Sequence, residues 1–249
     1  MSSTEPRYRT FTKRLDTTSA FSALYHQFWG RPFQIPSDRI LTLNGLGAED
    51  LSIDFGYELT SSPCLLYVRE EYEKAYSNLM KLQEDRNRGV ILTGSPGIGK
   101  SIFNLYALAK RFSEKNTTIF YRSDRDFYIF DSDGVFRVRG HMDMVARDLI
   151  PQNNCLPWCL YDSLERKEHD SLFINGSFLI FTTSPHVHRY KEWKKQRGIP
   201  RWWMNVWDYN ELEQGLKLHS ILLDSGTFVQ YGPCFRDHIF QRPMRPECE

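Results

Sequence analysis

No stretch of the 249-residue sequence approaches the roughly 18 consecutive apolar residues that cross a bilayer, so no transmembrane helix is expected. The opening MSSTEPRYRTFTKRL has no apolar core, so no secretory signal is expected either. That segment is basic and rich in Ser and Thr, which suits a mobile tail or a transit peptide. An excess of one charge is missing too. The 32 Lys and Arg against 31 Asp and Glu leave a formal charge of +1, so no global field draws the chain to nucleic acid or to an acidic membrane. Cysteine is sparse and irregular, with five residues at 64, 155, 159, 234 and 248. No second pair or Cys/His partner follows Cys155 and Cys159 at zinc spacing, so neither a zinc site nor a disulfide framework is expected. A reducing, intracellular compartment, cytoplasm or nucleus, is the simpler reading. Internal repeats and low-complexity tracts are absent. What is present is 41% hydrophobic and 14% aromatic residues, which excludes wholesale disorder and allows a sizeable core.

Residues 1–63 are rich in turn formers, as in Trp29-Gly30-Arg31-Pro32 and Leu43-Asn44-Gly45-Leu46-Gly47, and predict a partly irregular arm or a few short packed elements. Val68–Glu84 carries Tyr72, Ala75, Tyr76, Leu79 and Met80 at helical spacing and predicts an amphipathic helix. Five apolar runs of strand length follow, at Gly89–Thr93, Thr118–Arg122, Trp158–Tyr161, Phe178–Thr183 and Trp203–Trp207. Helical patterns lie between several of them, at Lys100–Phe112, Met142–Leu149 and Val187–Gln196. This alternation predicts an α/β domain over 64–240 with a mainly parallel, five-stranded sheet between helical layers. Residues 127–138, FYIFDSDGVFRV, predict a β-hairpin inserted after the second strand, with Asp133-Gly134 at its turn.

One motif carries most of the chemistry. Gly94-Ser95-Pro96-Gly97-Ile98-Gly99-Lys100-Ser101 satisfies G-x-x-x-x-G-K-[ST] between an apolar strand and a helix that continues through Ile102. The glycines permit positive φ, so that successive N–H groups point at phosphates, and the new helix adds the positive end of its dipole. Lys100 is expected to reach the β- and γ-phosphates, and the Ser101 hydroxyl to bind Mg²⁺. Asp162 ends the apolar run Leu156–Tyr161, the position of the Walker B aspartate that holds Mg²⁺ through its water shell. A whole strand lies in sequence between the loop and this aspartate. That order suits the additional-strand class of P-loop NTPases, AAA- and STAND-like, in which a catalytic glutamate often follows the aspartate. Here Ser163 follows instead, and Glu165 is either the base that activates water or a solvated acid.

The run Phe178–Thr183 ends in hydroxyls where ligands collect in such a sheet. Thr183 and Ser184 act as a sensor of the γ-phosphate, or as a cap ahead of Pro185, or as both. Beyond lie His186, His188, Arg189, Lys191, Lys194, Lys195, Arg197 and Arg201, interleaved with Tyr190, Trp193, Trp202 and Trp203. This is either a nucleic-acid groove or, more simply, a solvated helix with aromatic feet. Arg189 is either an arginine finger or a surface residue. Arg236, after the turn Tyr231-Gly232-Pro233-Cys234-Phe235, is placed to return to the phosphates as a second sensor. A guanine-reading N-K-x-D is missing, which disfavours a GTPase. A small-molecule kinase would need an acceptor-binding acid pair and an arginine lid, and neither is evident.

Taken in order, GSPGIGKS, FDSDGVF, LYDS, FTTSP, RYKEWKKQ, MNVWDYNEL and YGPCFRD make the chain resemble the P-loop NTPase module of the Crinkler and retrotransposon-hot-spot family, especially its fungal members, over roughly Cys64 to Phe240. The resemblance implies an additional-strand ATPase, often fused to a nuclease-like or other effector domain, using ATP and Mg²⁺. Carried over by position, Lys100, Ser101 and Asp162 match nucleotide and metal residues, Thr183 and Ser184 the sensor strand, and Arg189 and Arg236 family arginines. The sequence departs from the family at His186, where arginine is expected, and at Asp208, where serine is more usual. After Phe240 a short tail, 241–249, is expected to mark a truncated chain, so nucleic-acid cleavage is not expected of it. The expected function is Mg²⁺-dependent ATP hydrolysis that drives a conformational switch or self-association, with a second copy or another protein as the expected partner; the alternative is an interaction module that holds ATP without turnover.

Overall fold

The computed structural model describes residues 12–16, 19–46, 64–123, 126–139, 156–162, 176–185, 194 and 198–240. Among these, eight strands form one sheet. From edge to edge they are β1 (Thr12–Arg14), β7 (Gly134–Arg139), β6 (Asp126–Asp131), β5 (Thr118–Ser123), β8 (Trp158–Asp162), β9 (Phe178–Thr182), β4 (Gly89–Thr93) and β10 (Arg201–Trp203). A separate antiparallel pair joins β2 (Ile40–Leu43) to β3 (Cys64–Tyr67), across the expected boundary at 63/64. The helices are α1 (Ala20–Phe28), α2 (Glu70–Glu84), α3 (Lys100–Ser113), α4 (Tyr209–Lys217), α5 (Ser225–Tyr231) and α6 (Phe235–Phe240).

The five strands β5, β8, β9, β4 and β10 are mutually parallel. All five residues of β4 and of β9 are buried, as continuous apolar runs require when both faces of a strand are covered. On one face, Val90, Leu92, Phe120, Leu160 and Ile180 share a core with residues of α1, α2 and α3. On the other, Ile91, Ile119, Cys159, Leu179 and Phe181 form a second buried cluster. The helices expected at 142–149 and 187–196 lie outside the described residues, Lys194 apart.

Two expectations need correction. The hairpin is not an appendage to a five-stranded sheet. It extends the sheet, because β6 pairs with β5 over Phe127–Phe130 and β7 carries β1 in turn. Its side chains alternate between the two cores, with Phe127 and Ile129 in one and Tyr128 and Phe130 in the other, so a free-standing hairpin would expose both faces to water. The last strand runs over Arg201–Trp203 rather than Trp203–Trp207. Ile91 donates to the Pro200 carbonyl and Met204 donates to the Thr93 carbonyl, which fixes the ladder earlier in the chain. The backbone of Asn205 and Val206 then leaves the sheet to meet Arg69.

The described residues before β3 include short packed elements, one of the two expected alternatives. Ser19 caps α1 by accepting from the Ser22 amide at 3.2 Å. Phe21, Leu24, Tyr25 and Phe28 then recur on one helical face and are buried. Phe21 lies 4.5 Å, ring centre to ring centre, from Tyr128 of the hairpin, and the Tyr25 hydroxyl donates to the Asp131 carbonyl at 2.7 Å. The hairpin is therefore clamped between β5 and α1. Tyr25→Phe, which deletes that one buried bond, is expected to lower unfolding stability by about 1 kcal/mol in urea titrations without changing the m-value.

Candidate phosphate-loop site

The loop between β4 and α3 has the backbone its motif demands. Gly97 has φ +73° and Gly99, the residue that caps α3, has φ +94°. Both are also hemmed in: a Cβ on Gly97 would overlap the Cys234 sulfur, and one on Gly99 would overlap the Tyr72 hydroxyl. Glycine is thus required twice over at each position. Ile98 between them is fully buried and anchors the loop in the core.

The carbonyls of this loop are bonded one by one. The Lys100 ammonium donates to Gly94 at 2.9 Å and to Ser95 at 2.7 Å. The Cys234 thiol donates to Pro96 at 3.3 Å, Arg69 to Ile98 at 2.9 Å, and the Tyr72 hydroxyl to Gly99 at 3.0 Å. Lys100 is largely buried. Burial pulls its pKa down from 10.5 to about 8, against the opposing pull of Asp162, while Arg236 adds to the lowering. An ammonium so placed gains from any anion brought to the loop.

Sheet order sets the rest. Because β9 lies between β4 and β8, Leu92, Thr182 and Asp162 stand in one row across three strands. One strand, β9, thus separates the loop strand β4 from β8. Asp162 ends β8 at the same edge as the loop and its charge reaches Lys100. Thr183 follows β9, and its amide donates to the Leu92 carbonyl at 3.0 Å. The hydroxyls of Thr93 and Thr183 are both buried there without a hydrogen-bond partner. Buried hydroxyls without partners are costly, and at this edge they are what a bound polar ligand would satisfy. One turn after Lys100, Asn104 accepts from the Thr182 hydroxyl at 3.1 Å, tying α3 to β9. Among the described residues no group of three His, Cys, Asp or Glu side chains is gathered as a metal site. A divalent ion here would rest on Ser101, Asp162 and oxygens of the ligand, a hard oxygen set that suits Mg²⁺.

Arg236 packs its Cβ against Gly97 at the rim of the loop and is partly exposed. The turn that delivers it is held by the buried His238, whose Nε2 lies 2.9 Å from the Gly232 carbonyl. Next to the loop, an apolar cleft is lined by Leu65, Tyr67, Ile102, Trp207, His219 and Phe235. Trp207 stacks on Phe235 with ring centres 4.9 Å apart, and its buried indole N–H has no partner. The expected site residues are thus distributed as follows. Gly94 to Ile102, Asp162, Thr183 and Arg236 converge at one edge of the sheet, whereas Glu165 and Arg189 lie outside the described residues. Arg69, Tyr72, Asn104, Trp207 and Cys234 adjoin the loop as well, and the sequence singles out none of them as site residues.

No family model matches the chain. Crinkler effector proteins 15 and 16 of Phytophthora infestans are each 26% identical to it over 154 residues, covering 59% of this chain and 24% of theirs. The chain therefore spans about a quarter of the length of these curated relatives. Among solved structures, AMPPCP-bound DnaA from Aquifex aeolicus aligns with a TM-score of 0.39 and 13% identity, over 71% of this chain and 62% of that one. That overlap is too loose to carry an argument. The sequence similarity supports the Crinkler part of the resemblance, and its retrotransposon-hot-spot and fungal parts remain expectations.

The Lys100 environment makes a prediction with a definite sign. Its folded pKa of about 8 lies below the ordinary 10.5, so the unfolded chain holds more protons between these values. The penalty on stability is full below pH 8 and is relieved as pH rises toward 10.5. In urea titrations of the metal-free protein, wild type is therefore expected to gain on Lys100→Met by on the order of 1–2 kcal/mol between pH 7 and pH 10. A gap independent of pH would show that Lys100 is not desolvated.

Proposed function

We propose that the protein binds ATP with Mg²⁺ at the loop 94–102 and hydrolyses it to drive a conformational change or self-association. The observation that carries this reading is the buried Lys100 ammonium, held at a glycine-rich loop with Asp162 across from it. The amides of Gly97 to Ser101 and Lys100 would hold the phosphates, with Ser101 and Asp162 on the metal. Bound there, Mg²⁺ neutralises charge on the β- and γ-phosphates. Thr183 would touch the γ-phosphate or orient water, and Arg236 would close over the loop. The apolar cleft beside Ile102 suits the base, with the free indole N–H of Trp207 available to a ring acceptor.

Turnover is the finer part of the reading. Glu165 is the proposed base and Arg189 a proposed finger, each on its place in the sequence. The rival reading, nucleotide binding without hydrolysis, is favoured by Ser163 directly after Asp162. We propose an intracellular setting, since few and irregularly spaced cysteines suit a reducing compartment. Among the described residues no helix is long and apolar enough to cross a membrane.

Calorimetry and phosphate release test these assignments together. Lys100→Ala is expected to weaken Mg·ATP binding by at least about tenfold, and Asp162→Asn to remove the Mg²⁺ dependence of binding. Thr183→Ala is expected to lower kcat with KM nearly unchanged. Equal affinity in wild type and Lys100→Ala would reject the site, and binding with no phosphate release by wild type would select the rival.

A further inference from the structure

Arg69 lies just before α2, far from the loop in sequence, yet it is among the most deeply buried cations of the described residues, 1% exposed. A buried guanidinium is costly unless its donors are used, and here they are. Nη1 donates to the carbonyls of Ile98 at 2.9 Å and Asn205 at 3.2 Å, and Nη2 donates to Val206 at 2.8 Å. Nε donates to the Glu211 carboxylate at 3.1 Å. The guanidinium lies over the Trp207 ring, 4.4 Å from its centre. Neighbouring groups repeat the same links. The other Glu211 oxygen accepts from the Glu70 amide at 2.9 Å, and Glu71 accepts from the Asn205 amide and side chain at 3.1 and 2.9 Å.

These bonds join three parts of the chain: the phosphate loop at Ile98, the start of α2, and the connection from β10 to α4. Their geometry has a consequence for the loop. A peptide unit whose carbonyl is held by a donor outside the loop turns its own plane with it, so the amide of the next residue, Gly99, faces the opposite way, into the concavity. Resting on the phosphate-binding reading above, we infer that Arg69 is a positioning residue of the phosphate loop. It holds the Ile98 carbonyl outward so that the loop amides face the phosphates, and through Glu211 it makes that shape depend on the seating of α4. Lysine cannot substitute, because one ammonium lacks the planar fork that reaches four acceptors and stacks on Trp207.

The test compares Arg69→Lys with Glu211→Gln, which keeps the fold's shape while weakening the ion pair. Gln83→Ala serves as a stability control, since Gln83 bonds Trp158 and the Leu156 carbonyl at the far end of α2. The first readout needs no ligand: amide NMR shifts of Gly97, Gly99 and Lys100 are expected to move in Arg69→Lys and, less, in Glu211→Gln, and to stay put in Gln83→Ala. The second is affinity for inorganic tripolyphosphate, which has no base to fill the cleft. It is expected to fall about tenfold or more in Arg69→Lys and about twofold to threefold in Glu211→Gln, with Gln83→Ala within twofold of wild type. Loop amides that do not move in either Arg69→Lys or Glu211→Gln overturn the inference. So does a loss of affinity in Gln83→Ala equal to that in Arg69→Lys at the same fall in melting temperature. If wild type binds neither tripolyphosphate nor ATP, the phosphate reading falls, and the amide shifts still decide whether Arg69 sets the loop.

Discussion

A loop can offer its amides to an anion only if its carbonyls are turned away and bonded elsewhere. Around Gly94–Gly99 that bonding comes from distant parts of the chain. Arg69 holds Ile98, Tyr72 holds Gly99, and Cys234 holds Pro96. Two of these donors stand at the start of α2 and one just before α6, so the loop is shaped by the helices around it as much as by its own glycines. The Gly94 and Ser95 carbonyls are held differently, by the Lys100 ammonium on the concave side. On the proposed reading, the Lys100 bonds are the ones that would be exchanged for phosphate oxygens.

The sheet brings the remaining chemistry to that loop. With β9 inserted between β4 and β8, the carboxylate of Asp162 and the hydroxyls of Thr93 and Thr183 line up along one edge. The hydrogen bond between Thr182 and Asn104 carries the link from β9 back to the helix that begins at Lys100. Stability is compromised here in a consistent way: a desolvated ammonium and buried hydroxyls without partners sit together, each less costly once a polar ligand arrives. The α4–α6 segment closes the arrangement, with Arg236 against Gly97 and Trp207 and Phe235 forming the wall of the cleft.

The loop, the strands β4, β5, β8 and β9 and the place of Asp162 were legible because they depend on local pattern. Apolar runs, glycine spacing and a carboxylate at a strand end are visible within a dozen residues. The rest depends on partners far apart in the chain. Arg69-Glu70-Glu71 reads as a charged helix start, yet Arg69 is fully buried and Glu71 nearly so, because their hydrogen-bond partners lie near residues 98, 205 and 211. The aromatic run after Pro200 fixed the existence of β10 but not its register, which the β4 ladder decides. The hairpin was visible from its Asp-Gly turn, whereas its role in extending the sheet follows from burial on both faces and from α1. Cys234 stood next to the predicted Arg236, but no local signal connects a thiol to Pro96.

The central claim is that this loop receives a triphosphate. A crystal structure with a non-hydrolysable ATP analogue and Mg²⁺ tests it most directly. The account predicts the phosphates in the concavity of residues 94–101, with Lys100 moved from the Gly94 and Ser95 carbonyls onto them. The Arg69 bond to Ile98 should be unchanged. An analogue bound elsewhere, or Lys100 still on its own loop beside a bound nucleotide, would contradict it.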